Sequence, residues 1–117
     1  MTEIVTVLLK ELRKKRIVSG DLEKEEKMII CENVPFEKPT DLHIRDAIMG
    51  LGTILKEDLE KHFYITSVKT GLLNNVLAYA IIKRNDNKTV DIAVYAREGI
   101  IKQNLAKKAM ERIKTAL

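Results

Sequence analysis

Ile4, Val5, Leu8 and Leu12 recur at helical spacing behind Thr2, a residue suited to N-capping. They predict an amphipathic helix over residues 2–16. Arg13, Lys14, Lys15 and Arg16 fall in its last turn, where cations complement the helix dipole. Ser19-Gly20-Asp21 breaks the pattern. A polar stretch over residues 23–27 follows, then the short apolar run Met28-Ile29-Ile30-Cys31. Ile17–Val18 is a candidate strand partner for residues 28–32, giving an N-terminal hairpin. Pro35 and Pro39 bracket a loop.

Thr40, with Asp41 in the first turn, opens the longest predicted helix. Ile44, Ala47, Ile48, Leu51, Leu55 and Leu59 hold one continuous helical phase. Gly50 and Gly52 interrupt it at a cost of about 1 kcal/mol each relative to alanine. They mark a bend or a close approach by another element. Three strands are predicted next, over 63–70, 75–84 and 88–96. Asn85-Asp86-Asn87 supplies the tight turn between the last two. A two-residue Asp86-Asn87 loop sets Ile81 against Ile92 and Tyr79 against Val94. It also sets Ile82 against Asp91, Ala80 against Ala93 and Ala78 against Tyr95. The first face is bulky and core-like, the second flat and alanine-lined. A final helix starts near Gly99 and buries Ile101, Leu105, Ala109, Met110, Ile113 and Leu117. The expected fold is α+β in a single domain, 1–117. A mainly antiparallel sheet carries a three-stranded C-terminal meander, with the long central helix and the C-terminal helix packed on one face.

Composition bounds the class. At 45% hydrophobic and 32% charged, the 117 residues are those of an ordinary globular chain able to bury a core. No apolar run approaches the roughly 18 residues that span a bilayer, and no signal-peptide order is present. The lone Cys31 excludes an internal disulfide, so a cytoplasmic location is expected, without membrane association. Residues 97–117 hold six basic and two acidic side chains, which account for the whole net charge of +4.

Candidate chemistry is sparse. Cys31 sits in an apolar run and reads as a small buried hydrophobe. His62 falls on the apolar stripe of the long helix and reads as a core-edge side chain; His43 lies off it and reads as exposed. Two histidines and one cysteine at these spacings match no zinc pattern. Asp91 interrupts a nearly apolar strand and marks the rim of a solvated or interface face, with a ligand contact as the minor alternative. No catalytic residue, metal site or cofactor is assigned, and the catalytic signatures are absent.

Residues 40–117, read as helix, three antiparallel strands and basic helix, resemble the double-stranded-RNA-binding domain. Ala106-Lys107-Lys108-Ala109 looks like the start of that family's last helix. The lysines the family places just before are Gln103 and Asn104 here. Its Gly-Pro-x-His loop is Gly71-Leu72-Leu73-Asn74 here. Its RNA-contacting residues therefore do not transfer. The full element order is also similar to the roadblock/longin type of small dimeric adaptor. Fold-level analogy does not carry function.

These readings lead to a non-catalytic cytoplasmic binding or adaptor module. It acts as a homodimer, or on a protein partner, through the flat face of Ala78, Ala80, Ile82, Asp91, Ala93 and Tyr95. The alternative is an RNA- or DNA-binding module using Lys102, Lys107, Lys108, Arg112 and Lys114 of the terminal helix.

Overall fold

The computed structural model describes residues 2–18, 22–37, 41–70, 76–96 and 104–117. Its elements run α1 (Thr2–Lys14), α2 (Leu22–Glu26), β1 (Ile30–Pro35), α3 (Asp41–Met49), β2 (Ile54–Asp58), β3 (Phe63–Lys69), β4 (Val76–Arg84), β5 (Thr89–Ala96) and α4 (Leu105–Ala116). The five strands form one antiparallel sheet in the order β1-β5-β4-β3-β2. The α+β class stands. β3, β4 and β5 lie where the apolar runs placed them.

Helix α1 ends as its pattern predicts, but through an unusual residue. Ile17 N–H donates to the Leu12 carbonyl and Arg16 N–H to that of Arg13, the paired bonds of a Schellman C-cap. The left-handed position, usually glycine, is Arg16 at φ 60°. Ile17 and Val18 belong to this helix end and Val18 is buried. The expected hairpin with residues 28–32 does not form; β1 pairs with β5 instead, Cys31 opposite Ala93.

The long helix is the main correction. It stops at Met49 and the chain turns through Gly50–Gly52 into edge strand β2. Leu51 and Gly52 N–H groups both donate to the Ile48 carbonyl, closing the helix. Gly52 then passes so near β3 that an added Cβ would lie 2.1 Å from the Ser67 carbonyl oxygen. The close approach expected at one of the two glycines is therefore present, and it ends the helix rather than decorating it. Within the C-terminal segment, α4 begins at Leu105 behind Asn104; residues 97–103, including the predicted start near Gly99, lie outside the described residues.

The β4–β5 register differs by one residue. Lys88 is left-handed at φ 59° and Asn85 N–H donates to the Thr89 carbonyl, so Asp86-Asn87-Lys88 is a three-residue loop. Ala78 thus faces Ala96, Tyr79 faces Tyr95, Ala80 faces Val94, Ile81 faces Ala93 and Ile82 faces Ile92. Since side chains alternate, the slip exchanges which β5 residues share a face with which of β4.

Both faces of the sheet are covered. α3 and α4 bury Ile44, Ile48, Leu105, Ala109, Met110 and Ile113 against Tyr64, Val68, Ala78, Ala80, Ile82, Ile92 and Val94. Alanines on β4 allow the helices to lie close. α1 buries Ile4, Val5, Leu8, Leu9 and Leu12 on the other side, against Phe63, Ile65, Ile81, Ala93 and Tyr95. The expectation that the helices leave one face open is corrected by α1, whose apolar stripe is matched to that second face.

Candidate functional site

A part-buried polar cluster ties α3 to one end of the sheet. Asp41, at the start of α3, places Oδ1 2.5 Å from Arg84 Nε and Oδ2 2.7 Å from His62 Nδ1. Arg84 is the last residue of β4; its backbone N–H donates to the His62 carbonyl. His62 closes the β2–β3 turn at φ 58°, and Tyr64 Oη donates to the Asp41 carbonyl at 3.3 Å. Burial alone would raise the Asp41 pKa. Hydrogen bonds from Arg84 and His62, with their charge, outweigh it and hold the carboxyl below its ordinary range. At 2.7 Å from a carboxylate, His62 Nδ1 is the protonated ring nitrogen. Arg84 Nη2, 3.2 Å away, is then a neighbouring donor and not a partner. Burial, then the charges of Asp41 and Glu57, raise the Tyr64 pKa.

Nothing local in the sequence marks this cluster. Its members are 21 and 43 positions apart, and His62 stood on the stripe of a helix that does not extend that far. The groove beside it holds about 330 Å³. Ile4, Val7, Phe63 and Ile81 supply its apolar surface, and Lys61, Lys83, Arg84, Glu3, Glu60 and Asp86 its charges. Cations and carboxylates balance there, so the groove selects neither sign of ligand. Cys31 is half-buried on β1, where burial pushes its thiol up, so it is not an activated thiolate. His43 packs against Phe36, ring centroids 6.0 Å apart. Among the described residues no group of His, Cys, Asp or Glu could hold a metal.

The six residues expected to form a flat docking face do not share one. Ala78, Ala80 and Ile82 lie beneath α3 and α4. Ala93 and Tyr95 lie beneath α1. Asp91, half-exposed, accepts a 2.7 Å hydrogen bond from Asn33 Nδ2 on β1. The one-residue register slip separates the set, and the chain's own helices bury five of its members.

Of the terminal cations, Lys107, Lys108 and Arg112 are exposed on α4. Lys114 is engaged: Nζ sits 3.0 Å from Glu32 on β1 and 3.1 Å from Glu111. Lys102 lies outside the described residues.

The described residues also expose four large apolar side chains. Leu42 and Met49 on α3 are 61% and 60% exposed, and Leu59 in the β2–β3 turn 63%. Asp41–His62 and an Arg45–Glu57 bridge of 3.0 Å hold α3 to the turn and to β2, so all three residues ride on one braced unit. Met28, at 43%, stands apart, just before β1. Among the described residues no helix is long and apolar enough to cross a membrane. No protein-family model matches the chain, and neither a curated protein nor a solved structure matches it.

Proposed function

We propose that this protein is a non-catalytic binding module whose protein-docking surface is the outer side of α3 with the adjoining β2–β3 turn. The observation that carries this is the exposure of Leu42, Met49 and Leu59, three large apolar side chains braced in place by ion pairs. Apolar side chains held on a rigid frame, beside the exposed Arg45 and Asp46 of the same helix, have the make-up of an interface core and rim. The reading replaces the expected flat sheet face, whose residues α1, α3 and α4 divide between them. The lone Cys31 is compatible with a reducing cytoplasm.

The test is a double substitution, Leu42→Ser with Leu59→Ser, which leaves the buried Ile44 and Ile48 untouched. A protein partner crosslinked to this surface, purified and titrated back, should bind wild type with at least about tenfold higher affinity than the variant. Equal affinity would remove α3 from the interface. Partner binding that instead depends on Lys107, Lys108 and Arg112 would favour the basic-helix reading.

A further inference from the structure

β1 and β2 are the two edges of the sheet, and they are built differently. β2 is blunted. It carries a bulge between Ile54 and Lys56 and then three consecutive charges, Lys56-Glu57-Asp58, and Arg45 reaches over to Glu57. Each of these is a device that discourages strand addition. β1 has none of them along its length. Its sequence Ile-Cys-Glu-Asn-Val-Pro holds one charge, Glu32, which Lys114 already engages at 3.0 Å. Pro35 only closes its end. Ile30 and Val34 are half-buried and rest on the α3/α4 core, leaving part of each side chain for a neighbour. Among the described residues no strand pairs with the outer side of β1.

We propose that β1 pairs antiparallel with β1 of a second copy, joining two sheets into one of ten strands. A two-fold axis normal to a sheet preserves its faces, so a self-pairing register must be centred on a residue. Centring on Cys31 sets Ile30 opposite the partner's Glu32. Centring on Asn33 sets Glu32 opposite the partner's Val34. Both waste an apolar side chain on a charge. Centring on Glu32 sets Ile30 opposite the partner's Val34, twice, on the α4 side, and Cys31 opposite the partner's Asn33 on the other. Apolar cross-strand pairs of this kind stabilise a ladder. The two Glu32 carboxylates meet at the axis, each held by its own Lys114, which Glu111 shares, so their mutual repulsion is offset only in part. A second copy is thus the occupant that this edge fits. The proposal rests on the binding-module reading for its use: pairing at β1 leaves α3 and β2 at the two far ends, giving a bivalent adaptor.

Sedimentation velocity on the full chain tests this. Wild type is expected to be a concentration-dependent dimer at tens of micromolar. Val34→Lys and Lys114→Glu should each weaken dimerisation at least tenfold. Glu32→Gln, which removes the like charges at the axis, should tighten it. In a Cys31→Ser background, Ile30→Cys with Val34→Cys should give a covalent dimer with a short bis-maleimide, and Lys56→Cys on β2 should not. Circular dichroism confirms that each variant is folded. A wild type that stays monomeric at this concentration overturns the proposal. So does a dimer that tolerates Val34→Lys or crosslinks through Lys56→Cys. The Leu42→Ser/Leu59→Ser variant, with β1 intact, should still dimerise, so loss of partner binding and loss of dimerisation are read separately.

Discussion

Two glycines only two positions apart carry opposite consequences. At Gly52 an added Cβ would meet the Ser67 carbonyl oxygen at 2.1 Å and its carbon at 2.7 Å. That backbone cannot step aside, because Ser67 N–H is bonded to the Thr53 carbonyl within the β2–β3 pairing. At Gly50 the nearest atom is the Ala47 carbonyl oxygen at 3.6 Å, ordinary contact, and neither glycine has a positive φ. Gly52→Ala should therefore lose about 1–3 kcal/mol through overpacking. Gly50→Ala should gain about 0.4–1 kcal/mol by restricting the unfolded chain. Urea unfolding followed by circular dichroism measures both, and a Gly52→Ala protein as stable as wild type would show that β3 yields. Arg16 is the third case. It occupies the left-handed position of the α1 C-cap, where a Cβ costs about 1–2 kcal/mol. Arg16→Gly should recover about half of that, allowing for glycine's looser unfolded state. A net loss in the same assay would mean that the arginine side chain holds the cap more strongly than its backbone strains it.

At the scale of elements, α3 is a short helix held on the sheet by the buried Ile44 and Ile48 and clamped at its start by one carboxylate. Asp41 bridges to β4 through Arg84 and to the β2–β3 turn through His62. Asp41→Asn keeps the shape and removes the charge, and should cost about 1–3 kcal/mol at neutral pH. The pH dependence follows from the sign of the shift. The folded carboxyl has the lower pKa, so its contribution is complete above the unfolded value, about 3.9. It is lost as pH falls through the lower folded value. Wild type and Asp41→Asn should thus draw together in stability as pH falls below about 4, and a difference that keeps its neutral-pH size throughout acidification would refute the clamp. The same helix shows where the sequence was misleading. Leu51, Leu55 and Leu59 continue the phase of Ile44 and Ile48 by coincidence. The bulge in β2 erases the alternation that would have announced a strand. The runs of β3, β4 and β5 were legible because each is apolar and bounded by turn residues. Their register was not, since the left-handed residue that sets the loop length is Lys88 and not the Asn87 beside it.

For the whole molecule, the amphipathic character of α1 was legible and its destination was not. A stripe of Ile, Val and Leu carries no address, and only the folded chain shows that it closes the second sheet face. That closure also decides how the positive charge is distributed. α1, with its basic last turn, lies on one face of the sheet and α4 on the other. The two basic segments are therefore separated by the sheet and do not form one stripe. A nucleic-acid duplex docked on α4 meets only Lys107, Lys108 and Arg112 among its described exposed cations, because Lys114 is held by Glu32 and Glu111. Three phosphate contacts give a salt slope of only about −3 in log affinity against log salt, characteristic of weak non-specific binding. Changing Lys107, Lys108 and Arg112 to Glu should leave the fold intact, since exposed charges contribute about 0–1 kcal/mol each. It should also leave partner binding at Leu42 and Leu59 unchanged. Fluorescence anisotropy with duplex RNA and duplex DNA is expected to show no tight complex with wild type at physiological salt. Tight binding there, steeper in salt than three contacts allow and abolished in the triple variant, would overturn this expectation and make nucleic acid the primary ligand.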